Sequence, residues 1–136
     1  MQIGVETIVR SGIDLVWNKW NNPDDIKQWN AASDDWHTTS STVDLREGGK
    51  FSSRMEAKDG SMGFDFSGTY TKVIEKQRIE YTIDDGRKVV VIFSPVGNDV
   101  KVEVTFEAED QNDPEFQREG WQRILNNFAS YVESKK

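Results

Sequence analysis

The stretch Ser-Asp-Asp-Trp-His, Ser33 to His37, sets two adjacent carboxylates beside a tryptophan and the only histidine of the chain. Carboxylates next to an imidazole are groups from which general acid-base chemistry is built. A metal site is the other chemistry such a cluster could support. One histidine with neighbouring carboxylates, however, supplies too few ligands in one geometry for zinc or iron. No cysteine occurs, so thiolate nucleophiles, thiolate zinc sites and disulfides are excluded. A Walker-type phosphate loop and a serine elbow are also missing. Gly48 to Phe51, "GGKF", reads as a hairpin turn. Without a partner for His37, the cluster reads as follows. Asp34 and Asp35 are solvated or capping residues, while Trp36 turns inward and, with His37, borders the mouth of a pocket and orients a ligand's polar end. No catalytic residue, metal or cofactor is assigned.

The elements that must position these residues follow from periodicity. Ile3 to Val9 reads as a strand. Ser11 and Asp14 resemble a capping box that opens a helix carrying Ile13, Val16, Trp17 and Trp20 at helical spacing. Asn22 caps a second short helix with Pro23 in its first turn, Asp24 and Asp25 at its positive end, and Ile26 and Trp29 on its apolar side. The Ser33–His37 stretch then falls on the connection between the helices and a strand beginning near Ser41.

From Ser41 to Glu107 the pattern has period two. It is broken by turn signals at Gly48-Gly49, Asp59-Gly60, Asp85-Gly86 and Gly97-Asn98. This predicts an antiparallel meander whose apolar face carries Val43, Leu45, Phe51, Met55, Phe64, Phe66 and Tyr70. The face continues through Ile79, Tyr81, Ile83, Val89, Val91, Phe93, Val100, Val102, Val104 and Phe106. Lys101, Glu103, Thr105 and Glu107 mark the wet face. The last segment, from about Pro114 to Glu133, makes a helical stripe of Phe116, Trp121, Ile124, Leu125, Phe128 and Val132. Each periodicity leaves one apolar face that needs the other. The predicted class is α+β: a curved antiparallel sheet with two short helices and a long C-terminal helix over the concave face, the helix-grip plan, in one domain spanning 1–136.

Composition agrees. Thirteen Val and nine Ile stand against three Leu, and β-branched residues favour a pleated surface. With 11 % aromatics and five Trp, large rings fill or line the interior. The formal charge of -7 opposes nucleic acid and anionic lipid as partners. No apolar run approaches the ~20 residues of a membrane span, and the first residues are too polar for a signal peptide. A cytoplasmic protein with no membrane insertion is the expectation.

The segments "VWNKWNNPDDIKQW", "DLREGGKF", "FSGTYTKVIEKQRIEY" and "GWQRILNNFASYV", in this order across nearly the whole chain, resemble the START-like, birch-pollen-allergen-like (SRPBCC) superfamily. The branch is that of the C-terminal domain of the heat-shock chaperone ATPase activator. The resemblance implies a cavity between sheet and C-terminal helix, used in the superfamily for lipids, sterols, polyketides and other apolar ligands, and in a few branches for catalysis. The activator itself has a further N-terminal domain, for which this chain is too short.

Three functions follow as expectations. The first and preferred is a binding module for a small, mainly apolar molecule, held by Trp36, His37, Phe51, Met55, Phe66, Tyr70, Tyr81, Trp121, Leu125 and Phe128. The second is a co-chaperone or protein-interaction module with a chaperone as partner. The third is a cyclase-like or hydrolytic enzyme drawing on Asp34, Asp35, His37 or Tyr70.

Overall fold

Alternation of β-branched and polar residues places Ile3, Val5 and Val9 on the buried side of β1 (Gln2–Val9). In the computed structural model, which describes residues 1–136, two short helices follow: α1 (Ile13–Asn21) and α2 (Pro23–Trp29). Six strands come next: β2 (Trp36–Val43), β3 (Lys50–Ala57), β4 (Gly63–Ile74), β5 (Arg78–Ile83), β6 (Lys88–Val96) and β7 (Asp99–Glu107). The chain ends in α3 (Pro114–Lys135). The strands form one curled antiparallel sheet in the order β1-β7-β6-β5-β4-β3-β2, so only β1 is placed out of sequence, beside β7. The α+β helix-grip architecture expected from the two periodicities is the one observed.

Glycines Gly48, Gly60, Gly86 and Gly97 all take positive φ in the turns, where a residue without Cβ carries no steric penalty. Register shifts beside Thr39 and Thr71 interrupt the β2–β3 and β4–β5 ladders. Such bulges bend a strand and sharpen its twist. The first of them also breaks the regular edge that β2 presents, on a strand that is largely serine and threonine and therefore poorly suited to pairing with another chain.

α3 starts at Asp113, whose carboxylate accepts the Glu115 N–H at 2.8 Å. It lies beside β1, and its polar side chains satisfy that edge strand. Arg118 donates to the Gly4 carbonyl and Gln122 to that of Glu6, each at 3.0 Å. Leu125, Phe128 and Val132 form its buried stripe. Phe128 is fully buried, with its ring centroid 4.8 Å from that of Trp20 and 4.9 Å from that of Trp29.

Four local expectations are corrected. The Ser11–Asp14 capping box does not form: α1 begins after Gly12 without a side-chain cap, and Asp14 instead pairs with Lys76 at 2.8 Å. β2 begins at Trp36 rather than near Ser41. Phe116 is 66 % exposed, and its neighbour Gln117 takes the inward position. Asp25, expected only to favour the positive end of α2, is buried. It accepts the Tyr131 hydroxyl at 2.5 Å and lies 3.4 Å from the Lys19 ammonium, since a buried carboxylate must be paired.

With Phe128 wedged between two indoles, Phe128→Ala is expected to lower the unfolding free energy by about 3–5 kcal/mol, measured by denaturant titration. A loss well below this would mean that the ring is not core.

Candidate functional site

Residues two apart on a strand share a face. On β3 this brings Phe51, Ser53 and Met55 to the concave side, and on β4 Phe64, Phe66 and Tyr70. Tyr70 pairs directly with Tyr81 of β5. From α3, Gln117, Trp121, Ile124 and Leu125 come down at i, i+4, i+7 and i+8. The helix and sheet do not close completely between these rows. They leave a pocket of about 320 Å³, lined largely by apolar side chains and bounded at one end by Trp20, Ile26 and Trp29.

Gly68 lies in the row between Phe66 and Tyr70. A Cβ there would stand 2.9 Å from the Phe51 ring and 2.5 Å from the Thr82 carbonyl oxygen, so the missing side chain is the space that the ring occupies. Phe51 is thereby set with its centroid 5.3 Å from that of Tyr70 and 4.8 Å from that of Tyr81, the second contact edge-to-face. Overhead, Trp121 stacks on Phe106 at 4.1 Å and meets Phe66 edge-on at 6.1 Å.

Polar groups are few, and most are engaged. Ser53 lies 3.3 Å from the Ser41 hydroxyl. Gln117 holds the loop before α3 by accepting from Glu109 N at 2.9 Å and donating to the Glu109 and Asn112 carbonyls. The Thr38 hydroxyl donates to the Asn30 carbonyl at 2.6 Å and lies 3.1 Å from the Met55 sulfur. The exceptions include the terminal nitrogens of Arg87 and the hydroxyls of Tyr70 and Tyr81, which no protein group hydrogen-bonds, although the two tyrosines are only 6 % and 9 % exposed. No polar side-chain atom is sealed away without a partner, so both hydroxyls reach the open volume.

Burial pushes both phenols well above their ordinary range. The Asp44 charge adds to this at Tyr70, and Tyr70 adds to it at Tyr81, where Arg87 pulls the other way. Both are therefore O–H groups at neutral pH. The third tyrosine, Tyr131, is pushed up to about 12 by its hydrogen bond to Asp25, by burial and by the Asp25 charge.

Of the residues expected at a ligand site, Phe51, Met55, Phe66, Tyr70, Tyr81, Trp121 and Leu125 share this one pocket. Phe128 does not line it and belongs to the solid core beside it. Trp36 is half-buried, 5.7 Å from Phe64 by ring centroids. It lines an open groove that shares Met55, Phe64 and Ile124 with the pocket. His37 is exposed and lines neither space. Strand alternation sends Trp36 and Thr38 inward and His37 out, opposite Glu56 in the register. Asp34 and Asp35 sit exposed in the preceding turn, where the Asp35 carbonyl accepts the Lys58 N–H at 2.8 Å. No group of three or more His, Asp or Glu side chains is placed to hold a metal ion.

Sequence reasoning missed the two inward polar residues Ser53 and Gln117, and Arg87 at the pocket wall. Ser53 and Gln117 carried a readable signal, since they fall in step with Phe51 and Met55 and with Trp121 and Leu125. Arg87 lies in the turn after Gly86 and carried none.

The family model described as "Activator of Hsp90 ATPase homolog 1-like protein" matches residues 11–133. The chain belongs to this family. Similar solved structures include an AHSA1-like protein from Aeromonas hydrophila, 50 % identical, with a TM-score of 0.93 over 99 % of this chain and 94 % of that one. A protein from Cytophaga hutchinsonii is 46 % identical, with a TM-score of 0.85 over 98 % of this chain and 93 % of the other. One from Nitrosomonas europaea, only 19 % identical, shares the fold at a TM-score of 0.85 over 100 % of this chain and 96 % of its own. No curated protein matches the sequence. The family accounts for the order of elements from α1 to α3, and no helix is long and apolar enough to cross a membrane.

Two measurements test this geometry. Gly68→Ala should displace the Phe51 ring and lower the melting temperature. An unchanged melting temperature and unchanged aromatic side-chain chemical shifts would show that the ring is not seated there. The second follows from all three tyrosines being held protonated. A tyrosine whose folded pKa exceeds its unfolded value of about 10 stabilises the fold fully below that pH and ceases to do so as pH rises through the folded value. Unfolding free energy should therefore fall above about pH 10, and Tyr131→Phe should remove part of the fall. In the ultraviolet, phenolate absorbance of the folded protein should lag that of the denatured chain.

Proposed function

We propose that the protein is a binding module for a small, mainly apolar molecule held between the sheet and α3. The observation that carries this is the apolar pocket of about 320 Å³, at the lower end of the roughly 300–1,000 Å³ typical of small-molecule sites. Its lining of rings and a methionine, with two free hydroxyls, has the composition of such sites, where apolar walls give affinity and a few polar groups give orientation. The size suits a compact ligand of a few rings or a short chain better than a long-chain lipid. The open groove past Trp36, Phe64 and Met55 offers the way in.

A second reading is a protein-interaction or co-chaperone module. It is supported by the description of the family and by Met62, Phe64 and Phe116, which are 66 %, 50 % and 66 % exposed. These residues occupy the β3–β4 hairpin and the first turn of α3. An Hsp90-class ATPase is the partner this reading names, and isothermal titration against it with wild type and a Phe64→Ser/Phe116→Ser variant tests it. Heat release that the variant abolishes supports the reading, and none with wild type rejects it. Of the residues an enzymatic role would use, Asp34, Asp35 and His37 are exposed outside the pocket, and Tyr70 alone lines it.

Native mass spectrometry of freshly purified protein should reveal a co-purifying small molecule that denaturation releases. Thermal-shift screening across fatty acids, sterols and flavonoid-like polyphenols should find stabilisers. A ligand present a hundredfold above its Kd adds about 2.7 kcal/mol to stability. A protein that carries no adduct and responds to none of these compounds would refute the proposal.

A further inference from the structure

The two phenols line the pocket, and their hydroxyls, accessible rather than sealed away, have no protein partner, so a ligand can take up hydrogen bonds that the protein leaves open. Both remain O–H at neutral pH, so what they lack is an acceptor. They are a directly opposed cross-strand pair, Tyr70 on β4 and Tyr81 on β5, with ring centroids 6.4 Å apart and nearly perpendicular. Phe51 touches both rings, so an aromatic surface adjoins the two donors. Arg87 lines the same pocket. Its Nε is bound to Asp85 at 2.8 Å, while its two terminal nitrogens make no hydrogen bond to the protein.

The geometry points to an amphiphile as ligand: an apolar, ring-bearing body against Phe51, Phe66 and Trp121, with an acceptor oxygen, carbonyl or carboxylate, taken by the hydroxyls of Tyr70 and Tyr81. This rests on the pocket reading above and adds the ligand's polar chemistry and the two residues that select it. Arg87 separates the two kinds of oxygen, because its free guanidinium face would add a charged donor for a carboxylate and far less for a ketone.

Three probes of one shape test it: 2-ethylnaphthalene, 2-acetylnaphthalene and 2-naphthoate, each titrated by NMR into wild type, Tyr70→Phe, Tyr81→Phe and the double variant. Wild type should bind the ketone, the acid or both about tenfold more tightly than the hydrocarbon. The double variant should lose that preference while keeping its affinity for the hydrocarbon. The single variants report the same loss if the pair does not fold together. Neither hydroxyl has a protein partner to lose, so the empty variants should melt at or above the wild-type temperature, which a structural hydrogen-bonding role would not allow. In Arg87→Gln, weakened naphthoate binding assigns a carboxylate head, and undiminished binding assigns a carbonyl. If all three probes bind equally, or the double variant keeps the oxygen preference, the inference fails and the pocket stands. If even the hydrocarbon does not bind, the pocket reading fails and takes the inference with it.

Discussion

One helix laid on a curled seven-stranded sheet cannot fill the whole concave face, and everything distinctive about this protein follows from where the filling is complete. It is complete around Phe128. Trp20, Trp29 and the α3 ring meet there within about van der Waals contact, with centroids 4.8 to 5.1 Å apart, and Trp17 and Phe93 extend the cluster. Such a block behaves as a close-packed solid. It anchors α3 at its C-terminal half, and the N-terminal half spans the rest of the sheet.

At the other end the stack of Trp121 on Phe106 is joined by polar contacts. Arg118 and Gln122 grip β1 carbonyls, and Gln117 ties the incoming loop to the helix. Hydrogen bonds of this kind fix a position without occupying volume. The helix is therefore held at a set distance from β3, β4 and β5, and the space beneath it need not be filled by side chains. Gly68 contributes in the same sense, since it leaves free of a side chain the space against which the Phe51 ring is seated. Asp25, Lys19 and Tyr131 lock α2 to α3 at the solid end, with the carboxylate satisfied on both sides, as burial of a charge requires.

The architecture was legible because its signals are local. Alternation from Val43 to Phe106, glycines where φ must be positive, and the 121-124-125-128-132 stripe each depend on only a few neighbouring residues. What escaped depends on distance. Asp25 reads as a helix-start residue until Tyr131, 106 positions later, is known to reach it. Asp14 gives up its cap for Lys76 in a remote turn. His37 was misplaced for a different reason. The run Thr38 to Thr42 holds no apolar residue to mark a period, so the strand's beginning, and with it the parity that sends His37 outward, could not be read.

That parity decides what kind of site the fold offers. Had β2 been one residue out of step, His37 rather than Trp36 would face inward. As built, Asp34, Asp35 and His37 stand exposed outside the pocket. Inside, beside Arg87 and Glu109, are two phenols whose burial holds them in one protonation state over the physiological range. A phenol held in its O–H form makes a dependable hydrogen-bond donor in an apolar wall, where a bond is stronger than in water and a mismatch costs more. The interior thus joins apolar walls to two phenol donors whose protonation state does not vary over the physiological range.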